Sequence, residues 1–101
     1  MISVVIPTLN AQSGLTATFA ALVPASVQGI VREVIIADGG SDDATAEIAD
    51  VAGAKFIRGT SGRGVQLAAG AEEARSKWLL FLHADTVLQV GWEAEAAKFM
   101  E

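Results

Sequence analysis

Short β-branched runs alternate along this chain with longer stretches in which apolar residues recur every three or four positions. "ISVVIP" is a compact apolar run closed by Pro7, which predicts a buried strand over residues 2 to 6. From Ser13, read as an N-cap, Leu15, Phe19, Leu22 and Val23 recur at helical spacing until Pro24 ends the pattern. "VREVIIAD" predicts a second strand around 32 to 37, broken by Gly39 and Gly40. Ser41 then reads as the cap of a helix with Asp42 and Asp43 in its first turn, where the helix dipole favours them, and with Ala44, Ile48 and Val51 as its inner face. Gly53 suits its C′ position.

"AKFIR" predicts a third strand, followed by the loop "GTSGRG". A helix of small residues is expected over Val65 to Arg75, with Leu67, Ala68, Ala71 and Ala74 allowing close approach to a sheet. "KWLLFLH" reads as the fourth strand, and Trp92, Ala96, Phe99 and Met100 mark a last helix. The order β-α-β-α-β-α-β-α, with strands apolar on both faces, implies an α/β fold: a Rossmann-like parallel sheet with helices on both faces. Right-handed crossovers make 3-2-1-4 the expected strand order, one half of a doubly wound architecture in a single domain.

Ligands of open parallel sheets bind outside the carboxyl ends of the strands. Thr8 and Asn10 follow strand one, Asp38 ends strand two, Ser61 and Arg63 follow strand three, and His83 and Asp85 follow strand four. Each has a plain alternative: turn residues for Thr8, Asn10 and Asp38, a solvated loop charge for Arg63, an edge histidine for His83, a turn cap for Asp85. Their coincidence on one rim points to a site.

Composition narrows what that site binds. The formal charge is -5, and the seven Lys and Arg are scattered, which argues against nucleic acid. There is no cysteine, so no disulfide framework or thiolate metal site is available. The start lacks a basic n-region and no apolar run is long enough to span a membrane, so a cytoplasmic chain is expected. "PTLNAQ" stands where a dinucleotide fingerprint would place its glycines. Gly59 to Gly64 has the spacing of a P-loop, but Val65 replaces its lysine.

"VVIPTLN", "VIIADGGSDDAT", "GRGVQLAAGAEEA" and "WLLFLHADT" together resemble the nucleotide-binding half of family 2 glycosyltransferases, inverting GT-A enzymes that transfer a sugar from a nucleotide-sugar donor. The D-G-G-S and H-A-D spellings are most similar to a bacterial subgroup of arsenosugar-biosynthesis-type transferases. The resemblance implies that Pro7, Thr8 and Asn10 lie against the nucleoside, that Asp38 hydrogen-bonds the base, and that Arg63 lies over the base or the diphosphate. The family's D-x-D motif falls on His83-Ala84-Asp85, which makes Asp85 the ligand of a Mg²⁺ or Mn²⁺ that neutralises the diphosphate leaving group. His83 stands in place of the first carboxylate, and Ala11 stands where the family often carries an acidic residue.

Family members continue into an acceptor half that supplies the general base, and the chain stops at Glu101. It is therefore expected to be a donor-binding fragment, inactive alone, whose bare strand-four edge drives homo-oligomerisation. A non-catalytic binding or assembly module of the same architecture is the main alternative. A nucleotidyltransferase is another, although that class needs a basic glycine-rich loop after strand one and "PTLNAQSG" has no Lys or Arg.

Overall fold

The structure, a computed structural model, describes residues 1–84, 88, 89 and 91–100. Strands β1 (Ile2–Thr8), β2 (Val31–Asp38), β3 (Lys55–Arg58) and β4 (Trp78–Phe81) alternate with helices α1 (Gln12–Val27), α2 (Thr45–Val51), α3 (Arg63–Glu73) and α4 (Trp92–Phe99). All strand pairs are parallel and the order is β3-β2-β1-β4, as the crossover rule requires. On one face Ile2, Val4 and Ile6 pack with Leu15, Leu22 and Ala25 of α1, Ala49 of α2, and Trp92 and Ala96 of α4. On the other, Val5, Ile35 and Ala37 meet Leu67 and Ala74.

Several boundaries differ from the sequence pattern, each for a local reason. β1 runs through Pro7 to Thr8. Val5 turns its carbonyl towards β4, where it accepts from the Leu82 N–H, and Pro7 has the same orientation two residues on. The β1–β4 ladder stops at Val5 and Phe81, so no partner there needs the N–H that proline lacks.

α1 begins at Gln12, not after Ser13, because its first N–H groups are met from outside the helix: Ala11 donates to Thr45 Oγ1 and Gln12 to Asp43 Oδ2. The helix also continues through Pro24. Proline removes the bond to the Ala20 carbonyl, but both residues are exposed and water can replace it. The inner face consists of Leu15, Thr18, Leu22 and Ala25; Val23 is exposed.

α2 begins at Thr45, and Ser41 does not cap it. Asp43 takes that role from the preceding loop, accepting from the Thr45 N–H at 3.0 Å. Thr45 and Ala49 form the buried face, while Val51, expected inside, is 88% exposed. Gly53 does occupy C′, at φ +76°, and the bonds Gly53 N–H to Asp50 O and Ala54 N–H to Ala49 O close a Schellman motif.

α3 starts two residues earlier than its apolar pattern, at Arg63, because the Gln66 side chain accepts from the Gly62 N–H at the helix mouth. It also ends earlier, at Glu73. Arg75 N–H donates to Glu33 Oε2 at 2.6 Å and Ser76 N–H to Ser3 Oγ at 3.1 Å, which draws the chain back to the sheet. Gln66 and Gly70 make the buried stripe of α3, while Ala68 is exposed.

Gly70 is required by the closeness of α3 to β1: a Cβ there would lie 2.3 Å from Val5 Cγ1. Val5 is β-branched and fully buried, so it has no easy rotamer escape. Gly70→Ala is therefore expected to destabilise the fold by about 1–3 kcal/mol, overpacking outweighing the better helix propensity of alanine. Urea unfolding measures this, and the double variant with Val5→Ala should regain most of the loss.

Candidate functional site

The carboxyl ends of the strands carry a buried hydrogen-bond network centred on Asp38. Its side chain is enclosed, yet four donors address it: Thr8 Oγ1 at 2.7 Å and Ser41 Oγ at 2.5 Å on Oδ1, and the N–H groups of Gly40 at 2.9 Å and Ser41 at 2.7 Å on Oδ2. A carboxylate has about four lone-pair sites, so the set is complete. Burial alone would push the Asp38 carboxyl up; the hydrogen bonds from Ser41, Thr8 and Gly40 outweigh it and hold the group below the usual carboxylate range. Arg58 Nε approaches Oδ2 at 3.8 Å from a mostly exposed position and adds little.

From this hub the β1–α1 loop is laced to the loop before α2. Asn10 N–H donates to Ser41 Oγ at 2.7 Å, and Asn10 Oδ1 accepts from the Asp42 N–H at 2.9 Å. Asn10 sits at φ +52°, a left-handed conformation that asparagine tolerates better than most residues. Gln12 Oε1 accepts from the Ala44 N–H at 3.1 Å, so the two loops exchange bonds in both directions.

Of the residues expected at the rim, Pro7, Thr8, Arg63 and His83 line one polar cleft of about 260 Å³ together with Leu9, Ser61, Gly62 and Gln66. Asn10 lines the adjoining cleft of about 240 Å³ with Ala11, Ser13, Gly14 and Ala84. Asp38 faces a smaller cavity of about 80 Å³ beside Arg58 and Gln66. Arg63 is not in a loop but in the first turn of α3, and both it and His83 are exposed. Asp85, the expected metal ligand, lies outside the described residues. Among those described, no group of three or more His, Asp or Glu is placed to hold a metal ion.

Two participants escaped the sequence pattern. Gln66 is buried and donates from Nε2 to the carbonyls of Thr8 at 2.9 Å and Ala37 at 2.8 Å. Its signal was a polar residue one helical turn before Gly70, on the face turned to the sheet. Thr18, also buried, donates to the Ala84 carbonyl at 2.6 Å and so ties α1 to the segment after β4. A hydroxyl midway between Leu15 and Leu22 on the helix face was its only mark.

A parallel β3-β2-β1-β4 sheet with a polar rim at its carboxyl edge defines an open α/β domain of the doubly wound class, and comparison with known proteins identifies its family. Residues 3–101 match the family profile of Glycosyl transferase family 2, and the chain belongs to that family. A PGL/p-HBAD biosynthesis glycosyltransferase of Mycobacterium bovis is 37% identical over 87% of this chain and 36% of its own length. Glucosyl-3-phosphoglycerate synthase from Mycobacterium tuberculosis, in a crystal structure with Mn²⁺, uridine diphosphate and glucosyl-3-phosphoglycerate, superposes with a TM-score of 0.76 at 27% identity over 86% of this chain and 34% of that one. Mannosyl-3-phosphoglycerate synthase from Rubrobacter xylanophilus shares the fold, with a TM-score of 0.79 at 20% identity. The chain thus spans about a third of the length of these relatives. Among the described residues no helix is long and apolar enough to cross a membrane.

The lowered pKa of Asp38 fixes the sign of a pH effect. A carboxyl whose folded pKa lies below its unfolded value stabilises the fold fully above the unfolded value, and that stabilisation is lost as the pH falls through the folded pKa. Asp38→Asn is expected to cost roughly 1.5–3 kcal/mol at neutral pH, since it replaces charge-assisted bonds and turns an amide N–H₂ towards donors. Denaturant melts from neutral pH down through the acid range should show the difference between variant and wild type shrinking as the pH drops.

Proposed function

We propose that this chain is the donor-binding portion of a glycosyltransferase that uses a nucleotide-diphosphate sugar. The observation that carries the reading is the shared cleft of Pro7, Thr8, Arg63 and His83 at the carboxyl edge, in a fold whose relative binds uridine diphosphate with Mn²⁺. Pro7, Thr8 and Asn10 present the nucleoside face. Arg63 offers positive charge for the diphosphate. Asp38 reaches a base only if the Thr8 or Ser41 hydroxyl turns away from it, because its oxygens are already occupied.

Asp85, which follows the buried Leu82 by three residues, is the proposed ligand of Mg²⁺ or Mn²⁺. A hard cation held by one carboxylate is completed by phosphate oxygens and water, and when bound it neutralises charge on the leaving diphosphate. The acceptor, its general base and the sugar belong to the whole protein's reaction, of which this chain supplies the donor side. A cytoplasmic location, where nucleotide sugars are available, accords with that role. Among the described residues no strand pairs with the outer edge of β4, and that edge, with Leu79 40% and Phe81 47% exposed, is the proposed face of self-association for the isolated chain.

Calorimetry with UDP-, GDP- and TDP-sugars, with and without Mn²⁺, tests the reading directly. Metal-dependent binding of at least one is expected, whereas a non-catalytic assembly module would bind none. Asp85→Ala should abolish the Mn²⁺-linked part of binding while leaving the melting transition in place; unchanged Mn²⁺ linkage would remove Asp85 from the metal site. Light scattering of the isolated chain at about 100 µM, within the range where exposed edges associate, should show more than a monomer.

A further inference from the structure

The last rung of the β1–β2 ladder pairs Thr8 with Asp38. Those two side chains are also bonded to each other, and Asp38 in turn holds the Ser41 loop. Gln66 grips the rung from α3. Both hydrogens of its amide nitrogen are used, one on the Thr8 carbonyl and one on the Ala37 carbonyl, and its oxygen receives the Gly62 N–H at 3.1 Å. Through these three bonds one side chain spans both strands' ends and the loop preceding Arg63.

The fit is steric as well as polar. A Cβ on Gly39 would lie 3.1 Å from Gln66 Oε1 and 3.1 Å from the Ser61 backbone, so the amide fills the space that glycine leaves. Gln66 lines both the cleft that holds Thr8, Arg63 and His83 and the small cavity beside Asp38 and Arg58.

We propose that Gln66 is the positioning residue of the rim: it fixes the Ser61–Arg63 segment against the Thr8–Asp38 rung and so sets the affinity for a nucleoside diphosphate. It acts through its neighbours, and the inference rests on the rim being the nucleotide site. The three bonds demand two donors and one acceptor, which only a carboxamide of this length supplies. A methionine keeps the volume and loses all three. A glutamate keeps the shape but, ionised, sets acceptor against the two carbonyls; protonated, it regains one donor and can still accept from Gly62. Its burial among acceptors raises its pKa, so the gain should fall within a measurable range.

The test compares wild type, Gln66→Met and Gln66→Glu by calorimetry with UDP between about pH 5.5 and 8, alongside thermal melts and amide hydrogen exchange at Gly62. Among the described residues the titratable or charged groups around position 66 are Asp38 on β2, Arg58 on β3, Arg63 on α3 and His83 after β4; the wild-type profile is the reference. Gln66→Met is expected to lose about tenfold in affinity at every pH, the loss of one to two net hydrogen bonds. Gln66→Glu should match that loss at the alkaline end and recover several-fold towards wild type at the acid end. Affinities of both variants within twofold of wild type, or a glutamate-to-wild-type ratio independent of pH, would overturn the proposal even if melting temperatures fall, because a purely structural role moves stability alone. Should wild type bind none of UDP, GDP and TDP, with or without Mn²⁺, the nucleotide reading fails by itself. Gly62 exchange in the free protein still decides the positioning claim, with faster exchange in Gln66→Met supporting it and unchanged protection refuting it.

Discussion

A charge enclosed by protein has to be hydrogen-bonded on every side, and the Asp38 carboxylate imposes that demand on the whole upper edge of the sheet. Thr8 must end β1 with its hydroxyl turned to β2, Gly40 and Ser41 must curl back over the strand end, and Ser41 must then lie where Asn10 can donate to it. The β1–α1 loop, the start of α1 and the approach to α2 all inherit their course from that one group. Gln66 locks the same rung from the opposite side of the sheet, so the rim is held from both layers.

The architecture was legible because its signals are periodic. Two buried central strands and helices with a clear apolar stripe produce patterns that survive local irregularity, and the strand order follows from the chirality of crossovers. What the pattern misplaced were positions where a distant group satisfies the backbone. Ser13 and Ser41 look like caps, yet Thr45 and Asp43 serve the start of α1, while Ser41 is spent on Asp38. Val23 and Val51 fit the helical period but stand outside, and buried Thr18 and Gln66 break the rule that helix interiors are apolar because each meets a backbone carbonyl across the fold. The rim residues were readable as a set, since the ends of parallel strands must converge. Which of them share a cleft was not, because that depends on the first turn of α3.

Electrostatics at the rim is local. An acidic chain attracts an anionic ligand only through charges fixed close to it, and Arg63 stands at the mouth of α3, where the helix dipole also presents its positive end. Asp38 keeps its negative charge, but its side chain is enclosed and four donors occupy its oxygens, so it presents no open carboxylate to the cleft. A buried carboxylate can therefore organise the loops of a rim while its own acceptors stay occupied.

Of the sheet's two central strands β1 comes first in the chain, and its two neighbours lie far downstream: Ile2 pairs with Val31 on one side and with Trp78 on the other. During synthesis the most buried strand therefore waits for its neighbours until β2, and much later β4, have emerged. Pairing with β2 needs only the local α1 crossover, whereas β4 closes a loop of more than twice that length at a higher loop-closure entropy. The consequence concerns assembly: a nascent chain holding β1 to β3 already has every residue of the Asp38 network but still lacks the partner for one side of β1, an unpaired edge of the kind other chains recognise.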